Sequence, residues 1–342
     1  MRQGGRRGAR GGARRGVRRG VRGGARTGVT AAVAVLLAAG CTAGPGPDDD
    51  GRGPAPVPSR APATATEPEA AAASPLAVKI DNAPAARPQT GLEAADVVYV
   101  EPVEGGLSRL LALYATRLPE TVGPVRSARA SDLELLRQFD RPTLAFSGAQ
   151  RKLLPDIDKA PLRAEQPDGA SDAFVRDSAR PAPHNLYLRP GRLLSSAPGA
   201  AALTTGFQYG AAPAGGRAEP AHTVRYPAAR FTFTWSKERA GWLLSMDGTP
   251  AGTPGGKQPA PATVVVQYVQ VRSSKLHDSR GNHSPYVETV GAGRAQVLRD
   301  GRAHAATWRR DSATDGTAFT AADGSPLRFA EGQVWVVFAQ AG

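Results

Sequence analysis

Ala95-Asp96-Val97-Val98-Tyr99-Val100 and Ser108-Arg109-Leu110-Leu111-Ala112-Leu113-Tyr114 stand on either side of Glu104-Gly105-Gly106. β-branched, aromatic and leucine side chains dominate both flanks, and the adjacent glycines between them can take the positive φ that a tight reversal needs. The spacing predicts a hairpin. Upstream, Leu76-Ala77-Val78-Lys79-Ile80 predicts a strand that runs through Asp81-Asn82 into a proline-broken loop ending at Pro88. Downstream, Ser131-Asp132-Leu133-Glu134 has capping-box spacing, and Leu133, Leu136 and Phe139 recur at helical intervals. Thr143 to Gly148 predicts a returning strand. Residues 75–200 are therefore expected to form an N-terminal mixed α/β sheet domain.

Between Gly199 and Pro220 the chain turns rich in Ala and Gly, so 201–220 reads as a linker. Beyond it the hydrophobic period is two. Phe231 to Trp235 alternates, Thr263 to Val271 is a β-branched run, Asp300-Gly301 sits between apolar stretches as a hairpin turn, and Gln333 to Phe338 predicts a final strand. Residues 221–342 are expected to be mainly β and to contain no helix. The fold class is α+β.

The chain begins differently. Ten arginines lie between Arg2 and Arg26, a short apolar run follows from Val29 to Ala39, and Leu37-Ala38-Ala39-Gly40 precedes the single cysteine, Cys41. This is the pattern of a lipoprotein signal peptide over 1–40, with Cys41 as the lipidated residue. The apolar run is too short to span a bilayer. Acyl chains on Cys41 would anchor the protein to the outer face of the cytoplasmic membrane. Residues 41–74 are Gly, Pro, Ala, Asp and Thr with few large apolar groups, and read as a disordered tether.

Charge must be counted on the mature chain, because the leader holds basic residues and no acidic ones. Removing it lowers the formal charge from +13 to +3. Aromatic residues make up 6% of the chain and do not interleave with basic runs, which argues against nucleic acid as a partner. With no cysteine after Cys41, disulfides and thiolate metal sites are excluded from the mature domains. Gly291-x-Gly293 stands alone in a β context, and no Walker or dinucleotide fingerprint is present, so no cofactor is expected.

Several short motifs occur in order from Leu76 to the C-terminus. They include Ile80-Asp81-Asn82, Ala86-Arg87-Pro88-Gln89-Thr90-Gly91-Leu92, Ala95-Asp96-Val97-Val98-Tyr99, Val103-Glu104-Gly105-Gly106, Gly123-Pro124-Val125-Arg126-Ser127-Ala128-Arg129, Pro183-His184-Asn185-Leu186-Tyr187 and Gly332-Gln333-Val334-Trp335. The chain resembles the YerB-like bacterial lipoproteins, a two-domain family whose biochemical function is not established. The resemblance implies a lipid-anchored envelope protein and no defined activity. The Gly- and Pro-rich loop from Asp247 to Pro261 departs from the family pattern.

The candidate chemistry lies in the first domain. Arg87, Arg109, Arg126 and Arg129 stand with Asp81, Glu101 and Glu104 in its loops and strand ends, and a guanidinium fork recognises carboxylate or phosphate through paired hydrogen bonds. Arg126, Ser127 and Arg129 directly precede the expected helix, whose N-terminal N–H groups would add to an anion pocket. Asn185 and Tyr187 are the other candidate ligand-binding groups. The competing reading pairs the arginines with Glu101 and Glu104 in a structural network. His184 with Glu104 or Asp81 is the only general acid–base set in view, and no hydroxyl or thiol nucleophile accompanies it. His277, Asp278 and His283 match no metal-binding spacing. Two functions follow: binding of an anionic cell-wall ligand or an envelope protein, or a cell-wall-directed hydrolase or transferase that uses His184 with an acidic partner.

Overall fold

The last strand of the chain lies in the middle of its largest sheet. In a computed structural model that describes residues 74–170, 172–278 and 281–342, the first half forms β1 (Leu76–Asp81), β2 (Val97–Pro102), β3 (Ser108–Tyr114), α1 (Ala130–Leu136), β4 (Thr143–Ala145), α2 (Leu154–Lys159), β5 (Arg163–Glu165), β6 (Phe174–Arg176) and β7 (Leu186–Leu188). The second half forms β8 (Arg217–Ala218), β9 (Ala221–Tyr226), β10 (Ala229–Ser236), β11 (Gly241–Met246), β12 (Thr249–Pro250), β13 (Thr263–Val269), β14 (Val271–His277), β15 (His283–Val287), β16 (Gly291–Arg299), β17 (Arg302–Arg310), β18 (Ala318–Thr320) and β19 (Val334–Gln340). The described residues are mostly β with few helices, consistent with the α+β class, and no helix occurs among the described residues of 221–342. The leader, Cys41 and nearly all of the tether lie outside the described residues.

The hairpin that decides the first half is present: β2 and β3 pair antiparallel, and Gly105 and Gly106 have φ of 69° and 70°. Asp300 and Gly301 also take positive φ, turning β16 into β17. The large sheet runs β18-β17-β16-β13-β19-β2-β3-β1-β4-β5, with β8 added beside β17. Its centre is β19, which pairs in parallel with β13 on one side and with β2 on the other. Val334, Trp335, Val336, Val337 and Phe338 are all fully or almost fully buried, as a strand covered on both faces must be. Sequence alternation cannot tell a strand that closes its own domain from one that joins two halves, and here it joins them.

Each face of the sheet has its own core. Val78, Val98, Leu110, Val266 and Trp335 pack against Phe231, Phe233, Trp242 and Leu244 of the four-stranded sheet β12-β11-β10-β9. Tyr99, Leu111, Val265, Val336 and Phe338 pack against Leu135, Leu136 and Phe139 of the α1 region and against Phe319 and Phe329. Residues 201–220 follow the same surface: Thr205 is buried and Tyr209 meets Phe329 edge to face.

Helix α1 departs from the capping-box reading. Its first residue is Ala130, and the Asp132 carboxylate accepts the Arg129 backbone N–H at 2.7 Å. Ser131 and Glu134, the expected box, reach across to the second half. Ser131 Oγ accepts the Val287 N–H, and Glu134 accepts from the Tyr286 hydroxyl and from Thr289. Tertiary contacts therefore took both side chains from their local role.

Candidate functional site

Alternation along β1, β2 and β3 puts Lys79, Asp81, Glu101 and Arg109 on the α1 side of the sheet, near the strand ends. Arg109 stands opposite Asp81 on one neighbour and opposite Glu101 on the other. Deeper in, Lys79 is fully buried and bonds both Glu101 and Asp132, the latter at 2.7 Å. Burial, and then the Asp132 carboxylate, push the Glu101 carboxyl up to about 8.

Asp81 is the meeting point of the candidate residues. Its Oδ1 accepts the Ala83 N–H at 3.1 Å. Its Oδ2 lies 2.8 Å from His184 Nδ1 and 3.2 Å from Arg126 Nε. Since a carboxylate only accepts, His184 Nδ1 carries the proton in this contact and Nε2 is left for a ligand or water. The Arg126 side chain is 26% exposed, and its terminal nitrogens have no hydrogen-bond partner among the described residues. The Ser127 hydroxyl is also unpartnered there, while its carbonyl accepts Arg109 Nη1 at 3.0 Å. Burial, and then the neighbouring Arg129, lower the Arg109 guanidinium to about 10, with Arg126 adding to the effect. Arg109, Arg126 and Arg129 around Asp81 and Glu104 leave this region positive.

Arg129 has a different place. It is buried, and its Nε and Nη2 donate to Glu104 Oε2 at 3.1 and 2.7 Å, with Nη1 on the Ala128 carbonyl. Ser284, from β15, donates to the other Glu104 oxygen, and Gln150 donates to Ser284. The structural-network reading thus holds for Arg129 with Glu104. It does not hold for Arg126, because Glu101 is taken by Lys79. The N-terminus of α1 is capped by Asp132 and offers no ready anion pocket of its own.

The remaining candidates are spread out. Arg87 bonds the Asn82 side chain and carbonyl and reaches Asp247 at 2.7 Å, tying the first loop to the second half. Asn185 accepts from Arg176 and donates to the Asp177 carbonyl, which shapes its own loop. Tyr187 packs against Gly123, where a Cβ would lie 2.7 Å from its ring. Glu104 makes no contact with His184, so the acidic partner of that histidine is Asp81. His277 and His283 face each other at 6.1 Å between ring centres, and no group of three His, Cys, Asp or Glu among the described residues could hold a metal. Lys79 and Ser284 escaped the sequence reading. Lys79 looked like an ordinary strand residue, and nothing local relates Ser284 to Glu104 across 180 positions.

The motif order from Ile80 to Trp335 has counterparts in known proteins. Residues 62–203 match the N-terminal domain, and residues 222–336 the C-terminal domain, of a protein of unknown function, DUF3048. The chain is 38% identical over 115 residues to a Bacillus subtilis (strain 168) protein that carries the lipoprotein name YerB. It belongs to the YerB-like lipoprotein family. The matched stretch covers 33% of this chain and 34% of that relative, about a third of its length. The crystal structure of YerB from Bacillus subtilis shares the fold, with a TM-score of 0.64 over 78% of this chain and 91% of that one, at 22% identity. The two family domains meet in one sheet through the β19–β2 pairing.

Proposed function

We propose that this YerB-like protein is anchored through Cys41 to the outer face of the cytoplasmic membrane and binds an anionic ligand of the cell envelope, with Arg126 as the principal contact. The observation that carries this reading is the Arg126 side chain, held by Asp81 through Nε while its terminal nitrogens stay unpartnered and partly exposed. Arg109 and the Ser127 hydroxyl border the same region and supply further donors, while His184 Nε2 is an acceptor there. Wall peptides and anionic polymers are the local source of carboxylates and phosphates. The test is a thermal-shift titration of the secreted Cys41→Ser chain with phosphate, succinate and muropeptides, repeated on Arg126→Ala. Stabilisation by an anion that disappears in the variant supports the reading, and equal shifts in both proteins remove it.

The Asp81–His184 contact favours a second reading. A carboxylate that orients an imidazole is half of a general-base arrangement, and with no adjacent hydroxyl nucleophile the attacking group would be water. Arg126 would then stabilise developing negative charge. Mass spectrometry of muropeptides incubated with the protein distinguishes the two: products that vanish with His184→Ala make it a hydrolase, and unchanged substrate leaves it a binding protein.

A further inference from the structure

We propose that the cavity between the Glu104–Gly106 turn and the β14–β15 hairpin is a second binding site, which takes a small monocarboxylate with an apolar body. The cavity measures about 270 Å³, small for a ligand pocket and suited to a compact molecule. Its walls are Pro102 and Val103 at the end of β2, Pro227 in the β9–β10 turn, and Val271 and Pro285 of the hairpin. Proline rings carry no backbone donor and little freedom, so this wall is apolar and preformed.

Arg225, His283 and Gln340 supply the polar side of the lining, and the Tyr226 hydroxyl, which also borders it, is taken by the Phe338 carbonyl. Arg225 is exposed and has no ion pair or hydrogen bond among the described residues, and it stands directly opposite Arg230 across the β9–β10 pair. Like charges placed opposite each other destabilise a sheet, and no acid beside Arg225 relieves the repulsion. An anion bound there would. The acid in the wall, Glu104, is already satisfied by Arg129 and Ser284, and hydrogen bonding to these groups outweighs burial and holds its carboxyl below the usual range. The cavity therefore selects an anion over an amine. The His283 ring donates from Nδ1 to the Ser274 carbonyl at 3.0 Å, which fixes the ring at the cavity wall and leaves recognition of the carboxylate to Arg225. A single free guanidinium among apolar walls fits one carboxylate with a hydrocarbon body better than a phosphate, which needs more donors. Neither Arg126 nor His184 lines this cavity, so the site stands apart from the one proposed above.

The experiment is a calorimetric titration of the secreted Cys41→Ser chain with pentanoate, and with pentylamine and inorganic phosphate as controls. Pentanoate is expected to bind and pentylamine not to bind. Arg225→Gln is expected to weaken pentanoate by roughly tenfold, Val271→Phe to abolish it by filling the cavity, and Arg126→Ala to leave it unchanged. The proposal is overturned if wild-type protein ignores pentanoate, if pentylamine binds as well, or if Arg225→Gln has no effect. It is also overturned if Arg126→Ala alone removes binding, because the carboxylate would then occupy the other site.

Discussion

His184 Nδ1 and Asp81 Oδ2 lie 2.8 Å apart, although 103 positions separate them in the chain. Because Arg126 Nε approaches the same oxygen, one carboxylate orients both the imidazole and the guanidinium. Asp81→Asn keeps the size of the side chain and removes its charge. Phosphate affinity is expected to fall although Arg126 is intact, with only a small loss in Tm. Calorimetric titration of the variant checks this, and unchanged affinity would show that Asp81 does not position Arg126.

Arg126 and Arg129 sit three positions apart and should behave oppositely. Arg129→Ala strands the buried Glu104 without its partner and is expected to cost roughly 3 kcal/mol of stability. Arg126→Ala frees a partly exposed side chain and should change stability by less than about 1 kcal/mol. Urea denaturation of the two variants separates the structural arginine from the ligand-facing one.

The buried Lys79–Glu101–Asp132 cluster predicts a pH dependence. The Glu101 carboxyl keeps its proton to about 8 in the folded protein, whereas in the unfolded chain it loses it near the ordinary value of about 4.3. Between those values the folded state holds the extra proton, so this group's contribution is fully present at low pH and is lost as pH rises toward 8. Glu101→Gln should flatten that part of the stability profile. Denaturation midpoints of both proteins from pH 5 to pH 8 provide the comparison.

Residues 74–203 alone are expected not to fold. Without β19, the β2 edge loses its parallel partner, and Tyr99 loses the Phe338 ring stacked at 5.7 Å. A chain ending at Gln333 should fail for the same reason. Circular dichroism and amide dispersion in NMR spectra report the outcome, and a cooperatively folded 74–203 fragment would contradict the shared-sheet argument.

Cys41→Ser is expected to move the protein from the membrane fraction to the medium of the expressing cells, with the fold unchanged. Fractionation followed by immunoblotting reads this directly. Retention in the membrane would mean that something other than acylation anchors the chain.

Local patterns determined much of this protein. The β2–β3 hairpin and the Asp300-Gly301 turn follow from residues that tolerate positive φ between β-forming runs, and the β second half follows from a period of two. These features depend on neighbours a few residues apart, which is the range over which composition and spacing carry information. The tertiary structure decided where the last strand goes, because Val334 to Phe338 would be buried equally well at the end of its own domain or between β13 and β2. It also sorted the arginines, which look alike in sequence. Arg129 is buried against Glu104, Arg87 is spent on Asn82 and Asp247, and Arg126 keeps its terminal nitrogens. Whether a guanidinium is structural or available depends on which acids the fold brings within about 3 Å, and those acids come from strands and loops distant in the chain.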